Sequence, residues 1–308
     1  MSRYESRPLV LTGPCPQGKN EMQASQILNS IKKQVQGLYG RTAGSKAIGL
    51  EILDGYVLDA PSDQNVLDIF KGEWSSKLPQ NCGLVTQPAR AGLFEDARIA
   101  WAEKVLGKFA HCNILELGPL EGGHSYMFQN GGANRVIAVE ANIRAFLKCL
   151  CVKEIFKLDR VDFRLGDFMP FLRKDDFKYD MVFASGVLYH MEEPVELLRM
   201  ISKVSDKAYL WTQYYDENII SKRPDLAHKF TGVRSFEYDG VAYEYSTQSY
   251  KDSLNWAGFC GGPKPVSRWL TRDSIMRALR QFGFVDIQIG FDAPGHANGP
   301  AIAICAKK

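Results

Sequence analysis

The stretch Asn113-Ile114-Leu115-Glu116-Leu117-Gly118-Pro119-Leu120-Glu121-Gly122-Gly123-His124-Ser125 constrains the fold more than any other part of the chain. Its apolar opening lacks clean alternation, as expected of a strand buried on both faces. Gly118, Gly122 and Gly123 then supply a tight turn where a ligand can approach the main chain without meeting a Cβ. A helix is expected from His124. Strand, glycine turn and helix open a nucleotide-type α/β unit, whose ligands sit at the carboxyl ends of the strands. The dinucleotide pattern G-x-G-x-x-G is absent, because Leu120 stands where its second glycine would fall. The stretch therefore takes its meaning from what surrounds it.

What surrounds it is rhythmic. An amphipathic helix over 95–106 leads in, and strands are predicted at 113–117, 135–141, 161–167, 179–187 and 208–213. Helical segments at 124–129, 142–156 and 194–201 separate several of them. This alternation predicts a parallel sheet covered on both faces. Two further strands, 284–289 and 301–305, have no helix between them and must be antiparallel neighbours. The predicted fold is α/β and doubly wound, a mostly parallel seven-stranded sheet whose last strand is antiparallel. A helix over 270–282 precedes the last pair, with Thr271 as N-cap and Gly283 as stop.

Residues 1–93 read as a small N-terminal appendage serving as lid, packing element or dimer contact. It shows helical spacing at Leu28, Ile31, Val35 and Leu38, a hairpin around Asp54-Gly55, and a short helix over 65–70 anchored by Trp74. Residues 94–308 form the main domain. Residues 216–268 are an insertion after the fifth strand, too long for a simple connection and rich in aromatic residues such as Tyr238, Tyr243, Tyr245, Tyr250 and Trp256. Such an insertion is expected to be structured and substrate-facing.

Composition narrows the class. A hydrophobic share of 45% and a charged share of 24% are those of an ordinary globular protein. A net charge of +3, with no Lys/Arg run longer than a pair, argues against a dedicated nucleic-acid binder. The seven cysteines are odd in number and include no C-x-x-C, so a reducing, cytoplasmic protein without disulfides or a metal site is expected. No segment approaches the about 18 uninterrupted apolar residues of a membrane span, and residues 1–5 carry no apolar signal region.

The chemistry lies in the groups at the strand ends: Glu116 on the first, Glu140 on the second, Asp167 on the third, Ser185-Gly186 on the fourth. All should share one edge of the sheet. An acid at Glu140 can accept hydrogen bonds from both hydroxyls of a ribose. Asp167 can take an adenine amine with Phe168 against the ring, or instead cap the following helix. Glu116 and the Gly118–Gly122 backbone can hold a charged aminoacyl tail. This acidic edge repels a pyrophosphate and suits a cationic sulfonium ligand better than NAD.

In this order, Glu116-Leu117-Gly118-Pro119-Leu120-Glu121-Gly122, Val139-Glu140-Ala141-Asn142, Gly166-Asp167-Phe168 and Gly186-Val187-Leu188-Tyr189-His190 resemble the motifs of class I S-adenosylmethionine-dependent methyltransferases. The resemblance covers about residues 94–307 and departs at Leu120. It implies S-adenosyl-L-methionine as cofactor, held by Glu116, Gly118, Gly122, Ser125, Glu140, Asp167, Phe168 and Ser185, and methyl transfer to an O or N acceptor of a small molecule or metabolite. His190 follows the fourth strand, and its ordinary pKa of ~6.5 suits a general base; its alternative is packing under the following helix. Tyr189 belongs either to the pocket, where it orients the acceptor, or to the core; Trp269 is either a further wall residue or ordinary packing. Glu192 and Glu193 form a second base candidate.

A narrower likeness joins Gly186–His190 and Phe146-Leu147-Lys148-Cys149 to the tRNA wobble-uridine carboxymethyltransferase group. That group uses carboxy-S-adenosylmethionine, held by a tyrosine with basic partners, and Tyr189 falls on that tyrosine. Ala91 stands where the group carries a lysine before Gly92, which favours ordinary methyl transfer. The expected partner is a small-molecule substrate, with tRNA as the alternative and no membrane; a homo-oligomer is compatible with the sequence. A non-catalytic binding module on the same fold is the third reading.

Overall fold

The computed structural model describes residues 55–255 and 258–308, which belong to one compact unit spanning Asp54–Lys308. The helix expected over 28–38, most of the hairpin expected around Asp54-Gly55, and Trp256 lie outside the described residues. In chain order the described part forms α1 (Asp63–Asp68), β1 (Trp74–Ser76), β2 (Pro88–Ala91), α2 (Ala97–Leu106), β3 (Asn113–Leu117), α3 (Gly123–Asn130), β4 (Arg135–Glu140) and α4 (Ile143–Ile155). It continues with β5 (Val161–Leu165), α5 (Phe168–Lys174), β6 (Met181–Ser185), α6 (Pro194–Val204), β7 (Lys207–Gln213), α7 (Glu217–Ile220) and α8 (Pro224–Ala227). The last elements are β8 (Phe230–Tyr238), β9 (Val241–Ser249), β10 (Val266–Leu270), α9 (Arg272–Gln281), β11 (Asp286–Ala293) and β12 (Ala301–Lys307).

The central sheet has seven strands in the order β11-β12-β7-β6-β3-β4-β5. β3 to β7 pair in parallel, and β12 runs antiparallel to both its neighbours. This is the architecture that the alternating strand and helix signals predict. Ile114, Leu115, Leu117, Val136, Ala138, Val182, Phe183 and Ala184 are buried, as expected for parallel strands with helices on both faces. The chain winds outward from β3 through β4 to β5, then returns to β6 on the other side of β3. The carboxyl ends of β3 and β6 therefore flank a topological switch point, where such sheets open a crevice.

The insertion is a second sheet, three-stranded and antiparallel in the order β10-β9-β8. Its hairpin closes on Asp239 and Gly240, with φ of 49° and 76°, between the facing residues Tyr238 and Val241. Positive φ at both central residues is the two-residue turn that matches strand twist. Leu270 belongs to β10, so α9 starts two residues later than expected, behind the Thr271 cap, whose side chain accepts from the Ser274 N–H.

Residues 63–91 are anchored through the glycine turn itself. Trp74 is buried, and its indole N–H donates to the Leu67 carbonyl at 2.9 Å. Glu121 is fully buried and accepts from the Ser75 and Ser76 N–H groups at 2.9 and 2.8 Å and from Lys148 Nζ at 3.1 Å. Lys148 also donates to the Glu73 carbonyl at 2.6 Å and lies over the rings of Phe70 and Trp74. Truncating Glu121 leaves a buried ammonium without its acid and two N–H groups without acceptors. Glu121→Ala is accordingly expected to destabilise the fold by about 3 kcal/mol or more, measured by urea denaturation.

Candidate functional site

Glu140 closes β4, with its carboxylate facing the glycine turn. Gly118 follows β3 with φ 68°, and a Cβ there would lie 3.0 Å from Val187 Cγ2. Leu120 adopts φ 57°, a left-handed conformation that costs a side-chain-bearing residue roughly 1–2 kcal/mol. Its N–H donates to Glu140 Oε2 at 3.1 Å, while the Asn142 N–H donates to Oε1 at 2.8 Å. The acid is 8% exposed. Burial raises its pKa, against the opposing pull of the Asn142, Leu120 and Ala141 N–H groups. A carboxylate offers about four acceptor sites, so capacity for further donors remains at the crevice.

Glu116 occupies the next strand, one step deeper. Glu116 faces Phe183 and Ala138 across the sheet, whereas Glu140 faces Leu165. It is buried, and its Oε2 accepts a short hydrogen bond from the Ser125 hydroxyl on the first turn of α3. Burial raises its pKa, while His124 and Ser125 pull it down. Ser125 is thus committed to Glu116. Gly122, with φ 75°, heads the same helix.

Asp167 lies just past the tip of β5. Its Oδ1 accepts from the Met169 N–H at 2.8 Å and caps α5. The side chain is exposed, and Oδ2 has no hydrogen-bond partner among the described residues. The cap and a ligand role are therefore compatible on one carboxylate. Phe168 is half-buried beside it and packs on the main core. Glu116, Glu140 and Asp167 stand at the carboxyl ends of three adjacent parallel strands, along one edge of the sheet.

One part of the site has no counterpart in the sequence reading. Asp96, the N-cap of α2, binds Arg98 through both oxygens and lies 3.0 Å from His124 Nε2. His124 Nδ1 lies 3.9 Å from Glu116 Oε1. Burial would raise the Asp96 pKa, but His124 and Arg98 hold it well below the usual carboxylate range. The Arg98 guanidinium stacks 4.7 Å over the Trp211 ring. The local signal was the Asp before an apolar helical run, which marks a cap; nothing local marks its long-range partners.

An aromatic wall stands beyond β6. Gly186, with φ 79°, turns the chain into a short helical turn at Leu188–His190. Ser185 is half-buried at the strand end, in register with Trp211. The Tyr189 ring lies 4.0 Å from His190, 5.7 Å from Trp269 and 6.1 Å from Trp211. Burial raises the Tyr189 pKa. His190 Nδ1 is 2.6 Å from the Tyr250 hydroxyl, so the insertion reaches the site. Burial lowers the His190 pKa from 6.5 to about 4, which leaves a neutral imidazole at pH 7. When Nδ1 donates to the tyrosine oxygen, Nε2 is free to accept a proton. Glu192 and Glu193 are instead paired with Lys264 at 3.5 Å and Arg173 at 3.9 Å.

No protein-family model matches the chain. Its structure is similar to the N-terminal domain of EvdMO1, crystallised in the presence of S-adenosylhomocysteine (SAH) and D-fucose. That match has a TM-score of 0.58 at 20% identity and covers 79% of this chain and 94% of that one. The same domain with SAH bound matches with a TM-score of 0.51 at 23% identity, over 69% and 81% of the two chains. The chain shares the fold of that domain, a mostly parallel seven-stranded sheet with an antiparallel last strand. A curated tRNA U34 carboxymethyltransferase from Alteromonas mediterranea is 29% identical over 151 residues, 48% of this chain and 44% of that protein. That match spans less than half of the relative's length. Among the described residues, no helix is long and apolar enough to cross a membrane.

The burial of His190 has a consequence for acid stability. Its unfolded form takes a proton near pH 6.5, whereas the folded form resists protonation down to about pH 4. The unfolded state therefore binds more protons in that window, and stability falls as pH drops from 6.5 towards 4. His190→Gln is expected to flatten this part of the profile, measured by urea denaturation at stepped pH.

Proposed function

We propose that this chain is an S-adenosylmethionine-dependent methyltransferase acting on an oxygen or nitrogen acceptor of a small molecule. The observation that carries the reading is Glu140, a buried strand-tip carboxylate with acceptor capacity to spare beside a turn whose backbone can be approached closely. A ribose presents two adjacent hydroxyl donors to such an acid. Gly118 and Gly122 supply the cradle for the aminoacyl tail, with Glu116 behind them, oriented by Ser125 and His124. Asp167 and Phe168 complete the rim on which the adenine side would rest, and Ser185 borders the crevice on the β6 side. The donor set is acidic, which suits a ligand carrying a sulfonium charge.

When bound, the cofactor supplies an already activated methyl group. The chain's own residues then align the acceptor, exclude water and receive a proton. Tyr189 and Trp211 form the wall against which an acceptor packs, with Trp269 buried behind Tyr189 as ordinary packing. His190 takes the acceptor proton at Nε2 while Nδ1 donates to Tyr250. With a conjugate acid near 4, it is a weak base, so its contribution belongs at the low end, about 10²-fold in turnover. The sugar present in the EvdMO1 domain crystals accords with a hydroxylated acceptor.

The partial likeness to a tRNA U34 carboxymethyltransferase favours a second reading, modification of tRNA. Product mass distinguishes the two, because methyl and carboxymethyl groups add different increments. Salt-dependent tRNA binding would support the second reading.

Two variants test the main reading. Glu140→Ala is expected to lower SAH affinity at least tenfold by calorimetry while the apo fold is retained, since a hydrogen bond to a charged group contributes about 1.5–3 kcal/mol; unchanged affinity would refute the ribose assignment. His190→Ala is expected to lose about 10²-fold in turnover with normal SAH affinity, followed as SAH release with hydroxylated metabolites. Wild-type turnover in that variant removes His190 as the base.

A further inference from the structure

Asn142 makes three separate connections beside the crevice. Its N–H donates to Glu140 Oε1 at 2.8 Å, and its Oδ1 accepts from the Ala145 N–H at 2.9 Å, capping α4. Its Nδ2 donates to the Phe259 carbonyl at 3.1 Å, 117 residues away in the insertion. The first two bonds are local. The third joins the ribose-side strand tip to the segment between β9 and β10.

The segment that receives this bond continues towards His190. The Phe259 ring packs 4.9 Å from Tyr250, itself bonded to His190. A Cβ on Gly261 would lie 3.0 Å from His190 Nδ1 and 2.4 Å from the Phe259 ring. Phe259 thus touches the tip of β4, and Gly261 touches the residues that follow β6. These strands flank β3, about 10 Å apart across it, a distance that three residues of chain can nearly cover. Residues 258–262 therefore run across the carboxyl end of β3 and the glycine turn. Cys260, which is exposed, sits between the two contacts.

We infer that residues 258–262 form a lid over the cofactor crevice and that Asn142 is the positioning residue that holds it closed. The inference rests on the reading that Glu140 binds the cofactor ribose. One residue then links three events: its backbone N–H orients the ribose acid, and its side chain caps α4 and latches the lid. A cofactor bound beneath the lid leaves only when the Asn142–Phe259 bond opens.

Asn142→Ser separates these roles, because serine caps a helix about as well as asparagine but is too short to reach Phe259. The apo protein is expected to stay folded and to melt within a few degrees of the wild type. SAH dissociation, followed by surface plasmon resonance, should accelerate roughly five-fold, the weight of one neutral hydrogen bond. Trypsin cleavage at Lys251, exposed on the N-terminal side of the lid, should be slowed by SAH in the wild type and much less in the variant. Gly261→Ala approaches the same question from the lid side and should also speed dissociation. Wild-type dissociation rates and protection in both variants would overturn the lid. Failure of the wild-type protein to bind SAH would instead overturn the cofactor reading, and the lid with it.

Discussion

A buried carboxylate at the end of β4 accepts backbone N–H groups from two different loops, and the geometry of the site follows from it. Glu140 pulls the Leu120 N–H from one side and the Asn142 N–H from the other. The first bond ties the glycine turn in a conformation that Leu120 adopts at a cost. The second sets the start of α4. Desolvating such an acid is unfavourable, and each N–H recovers part of the penalty. The result is a preorganised acceptor one strand away from the switch point of the sheet.

Around it lies a line of polar side chains, buried but for the half-buried Arg98. Arg98, Asp96, His124 and Glu116 follow one another from the start of α2 to the interior of β3. Every member is paired, as burial of a charge demands. Arg98 stacks on Trp211, so the line connects the turn that starts α3 to the aromatic wall beyond β6. Glu121, one residue along the same turn, reaches the other way, to the backbone of β1. The short stretch 116–125 is thereby held from both sides by side chains that are distant in sequence.

Much of this was legible in the residues themselves. Parallel strands buried on both faces announce themselves as apolar runs, and the strand-tip acids Glu116, Glu140 and Asp167 follow from the α/β rhythm. The helix of α9 and its Thr271 cap were equally readable, to within two residues. Less was readable in the insertion. Asp239-Gly240 is a hairpin signal, yet the flanking strands are largely polar and do not alternate cleanly. Its third strand, β10, pairs with β9 from beyond an intervening segment. His190 shows the same limit: the residue type promises a base near neutrality, whereas its burial moves it to about 4.

Local chemistry alone, then, determined the order of strands and helices, the glycine turn and the acids at the strand tips, because periodicity, turn propensity and burial preference act over a few residues. Tertiary structure alone decided what those acids touch. Asp96 meets His124 across 28 positions, Asn142 meets Phe259 across 117, and His190 meets Tyr250 across 60. Such contacts depend on how sheets and loops pack in space, and packing leaves no periodic mark on the chain.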